Sequence, residues 1–334
     1  MSRRARVLGF VLSAAGLLAI AAAVRGPALL AELRFQREAA RLVPLLPAVL
    51  AAPPAGLARG AAQPWRVGIQ AGHWKIDQMP DEQARLRGDT GTRWGPLREV
   101  DVNLRIAQVT ADLLRGSGVT VDLLPAEVPP GYDADAFVAI HADGGANGAV
   151  RGWKIAAPRR ASTASRILRD SIARAYGSVT SLPEDRYGVT FNMRGYYAFS
   201  WTRYDHAVGP ATPSAIIETG YLTSAADRAL IVDDPRVAAT GIALGILAYL
   251  SERAGLEPVA LVPLSYPPLV VSTDNAVVRF FPADTERVAA RLSAGTIVRP
   301  FDEVNGWVEL TVNGNFRVSG WMRRSDLQAA EGWS

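Results

Sequence analysis

Hydrophobic and polar positions fall into blocks that predict two kinds of element. Short apolar runs at Val67–Ala71, Phe137–Ile140 and Ala215–Ile217 suit strands buried on both faces. Between them, Glu99–Leu114 puts Val102, Ile106, Val109 and Leu113 on one stripe, and Ser162–Tyr176 and Pro235–Glu252 are further helix candidates. Strand alternating with helix predicts an α/β domain, a mostly parallel sheet flanked by helices. Toward the C-terminus the pattern changes. Leu269–Leu327 holds short β-type segments broken by turn residues, among them Val304–Leu310 and Gly320–Met322, which predicts a small all-β barrel.

The N-terminus follows a third pattern. Val7–Val24 carries no charge and is preceded by Arg3, Arg4 and Arg6. Basic residues before an apolar run mark an export signal or a membrane anchor, and this run is near the lower length limit for a spanning helix. Arginines stay on the cytoplasmic side, so the remaining chain is expected outside, in the cell envelope. Ala21–Ala23 offers small residues for cleavage but sits within the apolar run, which favours an uncleaved anchor. Pro27–Val43 reads as a helix, and Ala51–Gln63, rich in Ala, Pro and Gly, as a tether. The organisation expected is an anchor or signal over 1–25, a juxtamembrane helix and linker over 26–63, an α/β domain over 64–256, a Pro-rich linker over 257–268 and the β domain over 269–330.

Charge supports that division. Arg3, Arg4, Arg6 and Arg25, with no acid among them, account for the whole formal net charge of +4. The body is neutral and shows no basic stripe, so nucleic-acid binding is set aside. The chain has no cysteine, which excludes disulfides, thiol catalysis and cysteine metal sites. It has only 3 histidines, so a metal site must combine imidazoles with carboxylates.

Two of those histidines follow predicted strands: His73 after Val67–Ala71 and His141 directly after Phe137–Ile140. Glu218 follows Ala215–Ile217 in the same way. In parallel sheets, ligand sites form beyond the carboxyl ends of the strands, so these three residues meet at one edge if the strands run parallel. Glu99 opens a helix preceded by Gly95-Pro96 and can reach the same edge. Two imidazoles and a carboxylate make a catalytic zinc arrangement, and a further acid can act as general base. The alternative is four unrelated polar residues where strands run into turns.

The same residues carry a family resemblance. Ala71-Gly72-His73, Glu99-Val100-Asp101-Val102-Asn103-Leu104, Ala139-Ile140-His141-Ala142 and Ile216-Ile217-Glu218-Thr219-Gly220-Tyr221-Leu222-Thr223 occur in the order found in zinc-dependent N-acetylmuramoyl-L-alanine amidases of the family-3 type. The resemblance covers roughly Trp65 to Gly255. It implies that His73, Glu99 and His141 bind zinc and that Glu218 is the base activating water. It also implies that the substrate is peptidoglycan, cut between N-acetylmuramic acid and L-alanine. Other readings are a wall-binding protein that has lost activity and a zinc peptidase or amidohydrolase of the same fold acting on another amide.

The chain departs from that family at Gln70, where an Asp is usual, at Trp74, where a Gly is usual, and at Asp143, near a usual Asn. The stretch Trp74–Arg98 is longer than expected and suggests either a lid over the metal or a surface loop. Trp74, Asn103 and His206 are candidate substrate contacts. Trp74 could equally be a packed residue, and His206 a loop histidine bonded to backbone. Tyr196, Tyr197, Phe199 and Trp201 suggest strand packing rather than a sugar platform. The C-terminal segment resembles a bacterial SH3-like domain through Ala276–Arg279, Gly306-Trp307 and Gly320-Trp321-Met322.

Overall fold

The computed structural model describes residues 64–330 apart from 147, 313 and 314. The expected anchor, the helix after it and the tether lie outside the described residues. Among the described residues no helix is long and apolar enough to cross a membrane.

The first part is a five-stranded sheet ordered β4-β1-β5-β7-β6. Its strands are β1 (Arg66–Ala71), β4 (Thr120–Leu124), β5 (Ala136–Asp143), β6 (Lys154–Ala156) and β7 (Ser214–Tyr221). β1 runs parallel to β4 and β5, and β5 parallel to β7, while β6 closes one edge antiparallel to β7. The apolar runs identify three of these strands; that of β1 ends with its strand, and the other two end too early. β5 and β7 continue through His141 and Glu218, which pair directly across the two strands. Neither residue sits in a turn, as the sequence suggests; both belong to the ladder. Backbone pairing carries a strand past the end of its apolar run wherever a neighbour continues beside it.

Side-chain alternation decides what each face carries. Phe137, Ala139, Ile216 and Ala156 enter one cluster with Leu124, Met79, Tyr197 and Phe199, so Gln70, His141 and Glu218 share that face. The helices α1 (Glu99–Gly116), α2 (Thr163–Thr180) and α5 (Pro235–Arg253) pack together, α1 against β1, β4 and β5 and α2 against β7, with α5 between α1 and α2. Two short helices, α3 (Phe191–Arg194) and α4 (Ala225–Arg228), lie in connections. Ser162 caps α2 by accepting from the Ser165 amide at 3.1 Å. Asp234 precedes Pro235 at the first turn of α5, where a proline forfeits no hydrogen bond. A Cβ on Gly245 would lie 2.4 Å from the Ile172 Cα, so α5 approaches α2 at a distance only glycine permits.

The C-terminal part is a seven-stranded antiparallel sheet ordered β10-β9-β13-β12-β11-β8-β14. Its strands are β8 (Leu269–Val271), β9 (Ala276–Arg279), β10 (Val288–Leu292), β11 (Ile297–Val304), β12 (Trp307–Val312), β13 (Asn315–Arg323) and β14 (Leu327–Ala329). Val278, Val298, Val308, Leu310 and Met322 form its core. It contacts the first part through Arg166–Asp302 at 2.9 Å, Arg194–Glu309 and Arg186–Glu286.

Candidate active site

β1 is followed by Gly72, whose amide donates to the Ile140 carbonyl at 3.0 Å. A Cβ there would lie 2.3 Å from the His141 ring, so the glycine lets the chain turn over that imidazole. The next residue, His73, has φ 63, a left-handed conformation that non-glycine residues seldom adopt outside functional sites. The turn swings its imidazole back toward β5, and the His73 and His141 rings stand edge to face with centroids 5.0 Å apart.

Glu99 enters from the first turn of α1 and is 5% exposed. Its Oε1 lies 3.3 Å from His73 Nε2 and 3.1 Å from His141 Nδ1. Asn103, one helical turn on, donates to the same oxygen at 3.1 Å and to the Gly72 carbonyl at 3.2 Å. The Thr92 amide donates to Oε2 at 2.7 Å. Burial by itself raises this carboxyl, but the hydrogen bonds to His141 and His73 outweigh it and hold Glu99 far below the usual carboxylate range. Burial likewise opposes the charge on His73, yet its hydrogen bond to Glu99 pushes it up to about 9.

The outer nitrogens are also engaged. His73 Nδ1 is 2.6 Å from the Asp89 carbonyl. His141 Nε2 is 3.0 Å from the Tyr196 hydroxyl, which donates in turn to Gln70 Oε1 at 3.0 Å. Gln70 is fully buried and fixed by donating to the Ala126 carbonyl at 2.8 Å. The departure at Gln70 thus becomes part of the support for His141.

One donor atom each from His73, Glu99 and His141 lies within 4.8 Å of the other two. Two imidazole nitrogens and a carboxylate, each oriented from behind, are a donor set that fits zinc. Glu218, paired with His141 across the ladder, is the fourth polar group. Its Oε2 is buried and has no hydrogen-bond partner. Burial, then the charges of Glu99 and Asp143, push Glu218 up to about 8 against the opposing field of Lys154. Lys154, opposite Glu218 on β6, is buried, pairs with Asp143 and lies over the Tyr221 ring.

A cavity of about 350 Å³ opens on this group, with His73 and His141 in its lining and Ile76, Asn192 and Tyr196 in its walls. The stretch 74–98 is neither a free lid nor a simple loop. It forms two 3-10 turns, Ile76–Gln78 and Asp81–Leu86, and a hairpin of β2 (Arg93–Trp94) and β3 (Leu97–Arg98). Ile76 and Met79 are buried in the core. Glu82 accepts from the His206 and Asp205 amides at 2.8 and 3.0 Å, and Gln83 donates to the His206 carbonyl at 2.9 Å.

The three candidate substrate contacts do not meet in the cavity. Asn103 is fully buried behind Glu99, because its position on α1 aims it at the carboxylate instead of the opening. Trp74 does not line the cavity, and Lys75 Nζ lies 4.8 Å from its ring. His206 is bonded to the Val128 carbonyl at 3.1 Å and Glu127 at 3.2 Å, and it lines a separate open groove with Trp201. The aromatic run is not a strand. Tyr197–Phe199 is a 3-10 turn whose Tyr197 and Phe199 enter the core. Tyr196 supports the site in a way its sequence context does not signal.

The family described as N-acetylmuramoyl-L-alanine amidase (Amidase_3) matches residues 67–248, more than half of the chain. This chain belongs to that family, and its enzyme class is therefore N-acetylmuramoyl-L-alanine amidase, which acts on peptidoglycan. Among solved structures it is similar to the N-acetylmuramoyl-L-alanine amidase from Clostridium difficile 630, with 20% identity, TM-score 0.40, and 56% of this chain and 96% of that chain covered. It is similar to AmiC2 of Nostoc punctiforme, with 23% identity, TM-score 0.39 and coverage of 56% and 97%. It is also similar to Ami1 from Mycobacterium smegmatis, with 16% identity, TM-score 0.43 and coverage of 59% and 100%. No curated protein matches the chain.

Proposed function

We propose that this protein hydrolyses the amide between the lactyl group of N-acetylmuramic acid and the first L-alanine of the peptidoglycan stem. In this reading zinc is held by His73, Glu99 and His141, and Glu218 is the general base. The convergence of His73 Nε2 and His141 Nδ1 on Glu99, with the unpartnered Glu218 oxygen beside them, carries the reading. Zinc bound there supplies a Lewis acid, acidifying water and polarising an amide carbonyl.

The protein's own groups do the rest. With Nε2 of His73 and Nδ1 of His141 turned to the centre, their protons sit on the outer nitrogens and donate to the Asp89 carbonyl and the Tyr196 hydroxyl. Those bonds fix both rings before substrate arrives. Glu218 takes a proton from the attacking water and returns it to the departing alanine nitrogen, which leaves as an amine. Its burial and the nearby charges of Glu99 and Asp143 favour proton uptake, and Lys154 opposes it. The described antiparallel sheet is read as the SH3-like accessory domain, and the protein as acting in the cell envelope, anchored or released after export. The intact four-group arrangement weighs against the inactive wall-binding alternative.

The test is digestion of purified peptidoglycan by the full chain with bound zinc measured in parallel. Stem peptides with a free L-alanine amino terminus and close to one zinc per chain are expected. Absence of both overturns the reading, and a different scissile amide leaves only the fold-level assignment.

A further inference from the structure

We propose that Arg85 is a specificity residue that binds a carboxylate on the peptide portion of the substrate. The proposal rests on the hydrolytic reading above and adds the direction in which the substrate lies.

Arg85 lines the same cavity as His73 and His141. It projects from the 3-10 turn Asp81–Leu86, which is not mobile decoration. Glu82 and Gln83 tie that turn to the backbone of Asp205 and His206. The guanidinium is therefore presented from a fixed wall. The two arginines of this wall are used differently. Arg87 donates to the Met79 carbonyl at 2.6 and 2.8 Å and pairs with Asp81 at 2.7 Å. Arg85 donates only a long bond, 3.4 Å, to the Tyr204 hydroxyl. Among the described residues no carboxylate stands within ion-pair distance of it. The cavity's own acid, Asp89, is engaged elsewhere: its carboxylate lies 3.7 Å from His73 Nδ1 and accepts from the Gly91 amide.

The substrate's chemistry says what an uncompensated cation there would meet. At the scissile amide the lactyl carboxyl is already consumed in the bond, so the sugar side offers hydroxyls and acetamides but no charge. Every negative charge near the cleavage point belongs to the peptide. A guanidinium matches a carboxylate with two parallel hydrogen bonds. Arg85 therefore marks the side of the cavity where the peptide lies, and the sugar occupies the opposite side of the His73–His141 pair.

The test uses the zinc-loaded full chain and soluble N-acetylmuramoyl-peptides in two forms, one with free carboxylates and one with the carboxyls converted to amides. The wild type should favour the free acid by about tenfold in kcat/KM, as expected for one charge-assisted contact. Arg85→Ala should raise KM for the acid until the two forms are equal substrates, and Arg85→Lys should retain part of the preference. Amidating one carboxyl at a time identifies whether a side-chain or a terminal carboxylate is the partner. A wild type without preference, or an Arg85→Ala variant that loses the same factor on both forms, overturns the proposal. A wild type that binds zinc stoichiometrically but cuts neither form overturns the hydrolytic reading together with this one. Cleavage of both forms at equal rates overturns this proposal alone.

Discussion

The Tyr196 hydroxyl stands 3.0 Å from His141 Nε2 and donates its own hydrogen bond to Gln70 Oε1. Two side chains 126 positions apart in the chain thereby fix the ring of a candidate metal ligand. Tyr196→Phe leaves the ring nitrogen and Gln70 Oε1 without their partner while preserving shape. Outer supports of this kind typically contribute about 10- to 100-fold in metal affinity or activity. Zinc titration of the variant should show weaker binding or slower turnover of that order; wild-type values for both would mean that packing alone holds His141.

Glu218→Gln separates the proposed base from the proposed ligands. The amide is isosteric but cannot accept a proton, so turnover should fall by roughly 10²- to 10⁴-fold. Bound zinc should stay at the wild-type level. Loss of zinc with retained fold would show that Glu218 is a ligand instead.

Gly91 tests how tightly Glu99 is enclosed. Its φ is +74, and a Cβ would lie 2.2 Å from Glu99 Oε2 and 2.8 Å from His73 Cδ2. Gly91→Ala should displace the carboxylate and reduce zinc occupancy. Gly88→Ala is the control, with φ +82 and nothing within 4 Å of the added Cβ. It should bear only the backbone penalty of about 1–2 kcal/mol and bind zinc normally.

Metal removal should lower thermal stability. Zinc held as proposed by the folded arrangement of His73, Glu99 and His141 would add about 2.7 kcal/mol at free zinc about 100-fold above its dissociation constant. Chelation should reduce the Tm of the wild type and leave that of a His73→Ala/His141→Ala double variant unmoved. An equal response in both would place the stabilising metal elsewhere.

Gly245 tests the helix layer away from the site. A Cβ would meet the Ile172 backbone at 2.4 Å, and overpacking of this kind typically costs about 1–3 kcal/mol. Chemical denaturation of Gly245→Ala should give a lower midpoint with an unchanged slope. Gly116→Ala, where nothing lies within 4 Å of the new methyl, should not.

The legible parts of the site were those with a local signature. Apolar runs marked β1, β5 and β7, and the helical stripe marked α1, so His73, His141, Glu218 and Glu99 could be singled out from their neighbours in the chain. Illegible were the contributions that depend on distant partners. Asn103 and Tyr196 reach the site because α1 and the turn at 197–199 aim them there, and no local pattern records that direction. The edge strands β4 and β6 have no such signature, because an edge is defined by what pairs with it. Lys154, buried opposite Glu218, follows from that pairing alone.

The sequence by itself determined the alternation of elements, the scarcity of histidines and the absence of cysteine, and hence the kind of metal chemistry open to the chain. These are properties of composition and short-range period. Only the tertiary structure decided that the strands run parallel in an order that sets His141 beside Glu218, that Gln70 and Tyr196 stand behind one imidazole, and that the long 74–98 segment is pinned as a wall. Each depends on backbone pairing or close packing between residues far apart in the chain. A few local preferences per residue do not encode which distant surfaces will exclude water together.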